Sequence, residues 1–257
     1  MRRRTLLATS GTALAGLAGC GSRQRPDSQT ATDATRTDSL ALELDALQPA
    51  VVELFVDAYE LVARPNSQYL FLTGPAVDGE DRRFRFDGER YEPGVDIDYC
   101  VATPDVPGCA QNPPWLLFEL PETGDASDAA LLAPEGQWQP DDGLRARLST
   151  PLASPQLTSF ELDADVAAGT APTFSLSARN DSADDAWFVG ALNRVDAMTR
   201  SVAPVSYLVP AESTVSWHVL GNEVGTPTPS RNGGSSTLEY ELTWLGGSET
   251  VTVPVQG

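Results

Sequence analysis

One histidine, three cysteines and 36 carboxylates are the side chains of this sequence that could do chemistry. His218, in Ser216-Trp217-His218-Val219-Leu220, stands alone. That excludes multi-histidine metal sites and weakens any Ser-His-acid mechanism; on a strand it falls on the exposed face, opposite Trp217 and Val219. Acids gather at Asp96 and Asp98, at Glu161, Asp163 and Asp165, and at Asp184-Asp185. Such spacings put carboxylates on one strand face or in a turn, where they could hold calcium or flank a glycosidic bond, although in so acidic a chain they also arise from composition. No phosphate-cradling Gly-rich loop, nucleophile elbow, HExxH or EF-hand loop occurs. Cys100 and Cys109, in CVATPDVPGC, most simply close a disulfide loop in an exported protein, with Pro104, Pro107 and Gly108 bending the chain back. A metal site there would lack a second cysteine pair and a nearby histidine. Asn180-Asp181-Ser182 is the only N-glycosylation sequon, in an expected exposed turn. It reads equally as a turn that uses Asn and Asp for local hydrogen bonds.

The third cysteine is positioned by what precedes it. Residues 1–19 consist of a basic start (Arg2, Arg3, Arg4), an apolar run from Leu6 to Ala18, and small residues up to Cys20. The run of about 13 residues is shorter than the about 20 needed to cross a hydrocarbon core. Arg3-Arg4-Thr5-Leu6-Leu7 resembles the twin-arginine export signal, whose carrier moves folded proteins. Leu17-Ala18-Gly19-Cys20 resembles the lipobox of prokaryotic lipoproteins, in which the thiol is alkylated with a lipid and the chain is cut just before it. The resemblance implies a signal peptide over residues 1–19 and a lipid on Cys20 holding the chain on the outer, extracellular face of the cell membrane. Residues 20–39, polar and without an apolar period, read as a disordered tether.

The formal net charge is −19, and every one of the 17 basic residues is arginine. Removing residues 1–19 takes away three arginines and no acid, which leaves 14 Arg against 36 acids and a net charge of −22. Acids spread along the whole chain resemble the hydrated surfaces of extreme halophiles' proteins, which salt keeps from repelling one another. Nucleic acid is excluded as a partner for want of a basic patch, and an anionic membrane surface would repel this chain unless a lipid held it.

The body of the chain alternates with period two. Gln68–Thr73, Arg82–Phe86, Trp115–Leu120 and Leu144–Leu148 are expected strands between Gly, Pro and Asp clusters, with an Asp87-Gly88 hairpin turn after Arg83-Phe84-Arg85-Phe86. Val52, Phe55, Val56 and Tyr59 fit a helix as well, but their β-branched and aromatic content favours strand. Further on, Phe160, Leu162, Ala164 and Val166 alternate with acids, Phe174 and Leu176 with serines. Val215, Trp217 and Val219 form another face, and Leu238, Tyr240, Leu242 and Trp244 a fourth. With Trp187–Leu192, Val205–Val209 and Thr250–Val255, about seven strands fall in the last 100 or so residues. The expected fold is all-β: two immunoglobulin-like β-sandwich domains, residues 40–150 and 151–257, behind the signal peptide and tether, divided at Ser149–Gln156.

AVVELFVDAYELV, QYLFL, FRFDGERY and WLLFELPETGDASDAALL resemble an immunoglobulin-like module of secreted lipoproteins of halophilic archaea. TFSLSARNDSADDAWFVGALNR resembles the adhesion-type sandwich repeats of archaeal and bacterial surface proteins. The resemblance implies fold alone and carries no catalytic positions. The function expected is that of a non-enzymatic surface lipoprotein that needs no cofactor, acting in adhesion, envelope organisation or as an accessory to envelope proteins or glycans. The alternative is a calcium- or carbohydrate-binding protein, with Trp138 or Trp187 as aromatic contacts.

Overall fold

Two strands buried along most of their length, rather than at every second residue, set the architecture. The structure is a computed structural model that describes residues 40–257 apart from Ala41, 75–80, 95–100, 103–114, Asp165, Ala168, Asp196, 198–199, 222–235 and Gly257. The first half contains β1 (Glu43–Gln48), β2 (Val51–Phe55), β3 (Ala58–Val62), β4 (Ser67–Thr73), β5 (Arg83–Phe86), β6 (Glu89–Tyr91), β7 (Val101–Ala102), β8 (Trp115–Pro121), β9 (Ala130–Ala133), β10 (Gly136–Trp138) and the helix α1 (Asp142–Leu148). The second contains β11 (Gln156–Leu162), β12 (Val166–Ala167), β13 (Thr173–Asn180), β14 (Ala186–Arg194), β15 (Ser201–Val209), β16 (Ser213–Leu220), β17 (Ser236–Trp244) and β18 (Gly247–Gln256). Among the described residues the fold is all-β apart from that one short helix.

In β4 the five residues from Gln68 to Leu72 are all buried, as a strand covered on both faces requires. Leu70 and Leu72 point with Leu47, Phe118 and Leu120 into a core closed by Phe84 and Phe86 of β5, Leu131 of β9 and Leu144 and Leu148 of α1. Tyr69 and Phe71 point the other way, against Val51 of β2 and Val62 of β3. β4 is the middle of the sheet β1-β4-β8, with the sheet β10-β9-β5-β6 on one side and the hairpin β2–β3 on the other. Next to Val51, Val52 faces outward onto Val189 and Ala191 of β14. The hairpin is therefore covered on both faces too. β14 in turn sends Phe188 and Leu192 into a third core, shared by the sheets β12-β18-β17-β14-β15 and β11-β13-β16. Trp187 touches both clusters flanking the hairpin.

Polar groups lock the hairpin in place. The Asn193 side chain accepts from the Tyr59 N–H at 2.8 Å and donates to the Tyr59 carbonyl at 2.7 Å, standing in for a neighbouring strand's backbone. The Asp57 carbonyl accepts from the backbone N–H groups of Arg200 and Ser201 at 2.7 and 2.6 Å. The Gln48 amide donates to the Ser206 hydroxyl at 3.0 Å, both side chains buried. Val56, in the tight turn, has φ 57°, a conformation that costs a β-branched residue about 1–3 kcal/mol; the docked Asp57 carbonyl beside it holds the turn closed.

Three sequence expectations change. Leu144–Leu148 is part of a helix: the Asp141 carboxylate caps it by accepting from the Leu144 N–H at 2.8 Å, and Leu144 and Leu148 bury one face. Over five residues, Leu-Arg-Ala-Arg-Leu satisfies period two and an i, i+4 pair equally. The segment from Val52 to Tyr59 is a hairpin of two strands. The alternation from Phe160 to Val166 is interrupted: β11 ends at Leu162, and β12 joins the opposite sheet beside β18. The Asp87-Gly88 turn has positive φ at both residues, 52° and 75°, as a two-residue hairpin turn of right-handed strands demands.

Asn193→Ala is expected to cost about 2–4 kcal/mol, because it strands a donor and an acceptor of Tyr59 at once. Denaturant unfolding followed by tryptophan fluorescence and by far-ultraviolet dichroism should show that loss in a single shared transition. Burial also holds the phenols of Tyr59 and Tyr69, on either side of the hairpin, above their ordinary 10. The folded state therefore favours the neutral phenol. Its stability contribution is complete below pH 10 and is lost as pH rises through the folded values. An alkaline spectrophotometric titration should show these two phenolates appearing together with loss of the fold.

Candidate functional site

A groove of about 770 Å³ opens where the start of β1, the end of β10 and α1 meet the turn before β14. Leu42, Leu44, Leu144 and the half-buried Trp138 give it an apolar floor, and Glu43, Arg147, Thr150 and Asp184 bring polar groups to its walls. Each wall has a local cause. The hairpin β9–β10 delivers Trp138, whose neighbour Gln137 accepts a backbone bond from Leu40. The Asp141 cap starts α1, so that Leu144 turns inward while Arg147 stays at the groove. Six other arginines, Arg64, Arg82, Arg83, Arg85, Arg145 and Arg179, pair with carboxylates. The half-buried Arg147 has no ion-pair partner among the described residues. A flat ring beside apolar carbons, one available guanidinium and a hydroxyl can take a ligand that has an apolar face and hydrogen-bonding edges.

A second cluster lies on the outer face of β11-β13-β16. His218 Nδ1 is 3.0 Å from Asp163 Oδ2 and 3.2 Å from Ser175 Oγ, and Ser175 donates to Asp163. The residue types are those of a nucleophilic triad, but the wiring differs. A relay needs the serine on one ring nitrogen and the acid on the other. Here both partners meet the same nitrogen, and the histidine side chain is 71% exposed on an open sheet face. Ser177 and Ser216 extend the cluster with a mutual bond at 2.7 Å. It is a surface hydrogen-bond network.

Asn180 departs from the exposed position expected of a sequon. It is 2% exposed at the end of β13. Its amide nitrogen donates to the carbonyls of Asp184, Val209 and Pro210 at 2.8, 3.0 and 3.3 Å, while its oxygen accepts from the Ser182 N–H and hydroxyl at 3.0 and 2.6 Å. The local-turn chemistry is what the residue performs, and it ties β13 to the end of β15. Trp187 likewise lies inside the seam between the hairpin and β14 instead of at a ligand surface. Asp185 accepts from the Ala211 N–H at 2.9 Å. Among the described residues no three His, Cys, Asp or Glu converge as metal ligands, and no helix is long and apolar enough to cross a membrane. Arg3, Arg4, Cys20, Asp96, Asp98, Cys100, Cys109 and Asp165 lie outside the described residues. Of the groove, the sequence singles out Trp138 and Asp184; Arg147 and Thr150 come with the helix, for which the signal is Asp141 ahead of Leu144 and Leu148.

No protein-family model and no curated protein matches the chain.

A glycan on Asn180 would have to displace a buried nitrogen from three carbonyls. Mass spectrometry of the mature protein is expected to find Asn180 unmodified. Asn180→Ala, by stranding those carbonyls, should lower stability by about 1–3 kcal/mol in denaturant unfolding.

Proposed function

We propose that this chain is a lipid-anchored protein of the outer membrane face, exported folded through its Arg3-Arg4 signal and held by a lipid on Cys20. Its body, two immunoglobulin-like sandwiches fused through a shared hairpin, works by binding an envelope glycan or envelope protein and not by catalysis. The observation that carries this reading is the groove. It is built on strands and a helix rather than on long loops, draws walls from both halves, and joins a half-buried tryptophan to an arginine that no acid among the described residues pairs. Rigid walls lower the ordering cost of binding. The triad-like cluster does not compete with it, because its wiring is wrong for a relay.

Carbohydrate is the ligand class that Trp138 favours, since a sugar offers an apolar face to the ring and hydroxyls to Arg147 and Thr150. Two acyl chains hold a protein stably where one does not, so a two-chain lipid on Cys20 suits the anchor.

Cys20→Ser is expected to move the protein from the cell membrane to the medium, read by immunoblot of both fractions; retention on the membrane would overturn the anchor. Trp138→Ala is expected to abolish binding of the soluble form to isolated envelope glycans on an array while leaving its unfolding midpoint within a few degrees. Unchanged binding would remove the groove from the proposal.

A further inference from the structure

The groove holds opposite charges that do not meet. Arg147 lines it from α1, Glu43 from β1 and Asp184 from the turn before β14. Among the described residues Arg147 pairs with neither acid, and neither carboxylate has a partner of its own. In a chain of 36 acids and 17 arginines, a guanidinium and two carboxylates that share a groove without closing on each other stay open to a ligand. Such a ligand must accept from the guanidinium and donate to the carboxylates.

The rest of the polar lining is committed in a way that sharpens this demand. Thr150 gives its one hydroxyl proton to the helix carbonyls of Ala146 and Arg147, at 3.3 and 3.4 Å, so towards the groove it can only accept. Gln139 accepts from Arg145 through its oxygen at 3.4 Å and keeps its amide N–H groups. Asp141 is occupied at Oδ1 by the Leu144 N–H. Asp185 is spent on the Ala211 N–H, whereas Asp184 is held by its backbone: its carbonyl accepts from the buried Asn180 amide at 2.8 Å and from the Ser182 hydroxyl at 2.7 Å. That grip sets the Asp184 carboxylate at the groove with its oxygens unused.

We infer that the groove takes an uncharged, hydroxyl-rich glycan and rejects charged ones, with Arg147 and Asp184 as its specificity residues; this rests on the glycan reading proposed above. A sugar hydroxyl is both donor and acceptor, so its hydroxyls can donate to Asp184, Glu43 and Thr150 while accepting from Arg147. A uronate or sulfate group offers acceptors alone. It would satisfy Arg147 and set its charge against Glu43, Asp141 and Asp184 at contact distance, well inside the roughly 8 Å over which physiological salt screens. An amine would satisfy the acids and leave Arg147 facing a like charge. Trp138 meets the C–H face of any of these sugars, so the ring supplies affinity and the charged groups supply the choice.

The test uses the full chain carrying Cys20→Ser in calorimetric titrations at one fixed salt concentration. Four sets of oligosaccharides of matched length serve as probes: uncharged hexose, hexuronate, sulfated hexose and hexosamine. The uncharged oligomers are expected to bind about tenfold or more tighter than the other three. Asp184→Asn removes the charge and keeps the shape; it should weaken the uncharged oligomers about tenfold and strengthen the hexuronates, with the unfolding midpoint within a few degrees. Arg147→Gln should weaken the uncharged oligomers by a similar factor and strengthen the hexosamines. Binding that Trp138→Ala abolishes but that favours a charged set overturns this inference and leaves the groove as a glycan site. So does a preference that either charge substitution leaves unchanged. Binding of no oligosaccharide, or binding that Trp138→Ala leaves intact, overturns the glycan reading itself and this inference with it.

Discussion

Everything else in the fold depends on the double-sided burial of the hairpin β2–β3. Val51 and Val52 are neighbours in the chain, yet one packs on Tyr69 and Phe71 and the other on Val189 and Ala191. A strand can serve two layers only if both its faces are apolar and its backbone groups are satisfied in its own plane. The plane is completed from three directions: β2 pairs with β3 and β7, Asn193 serves Tyr59, and Arg200 and Ser201 serve Asp57. An unpaired backbone group buried here would cost as much as several methylenes of apolar contact return. The amide of Asn193 is thus as necessary as the valines.

The same constraint explains where the acids are not. β4 and β14, each covered on both faces, have no Asp or Glu, although the chain has 36. Acids collect instead where arginine meets them at the surface, as in Arg64–Glu119, Arg83–Glu92 and Arg85–Asp128. Such exposed pairs are each worth about 0–1 kcal/mol, and salt screens them. They fix surface geometry more than stability. Arg82 is the exception: 3% exposed, it meets Glu135 at 2.6 Å, and a guanidinium so buried requires its carboxylate.

The strands were legible in the sequence because alternation and unbroken apolar runs are local properties. Phe84 and Phe86, Phe174 and Leu176, and Leu238, Tyr240 and Leu242 face cores as their spacing requires, and Asp87-Gly88 turns as its residue types dictate. What was not legible depends on partners distant in the chain. Tyr69 and Phe71 announce a second buried face but cannot name Val51 as its cover. Nothing in Leu192-Asn193-Arg194 foretells an amide that completes a hairpin more than 130 residues earlier. Asn180 shows the same limit: its motif reads alike whether the nitrogen meets solvent or three carbonyls. The groove was half legible, since Trp138 stood out by type while Arg147 needed the helix that period two concealed.

Burial removes charge from β4 and β14, and on β15 it does so in part. Val205, Ser206 and Val209 of that strand are buried, while Tyr207 and Leu208 stand at the surface, where a lysine-free, acid-rich composition would ordinarily supply Glu or Asp. Of the other long outermost strands, β1, β8 and β11 each carry at least one acid and β16 carries none. Tyr207 packs on Trp217 of β16 with ring centroids 4.7 Å apart, and Ser206 accepts from Gln48, so the missing charge on β15, like that on β14, is tied to contacts within the chain.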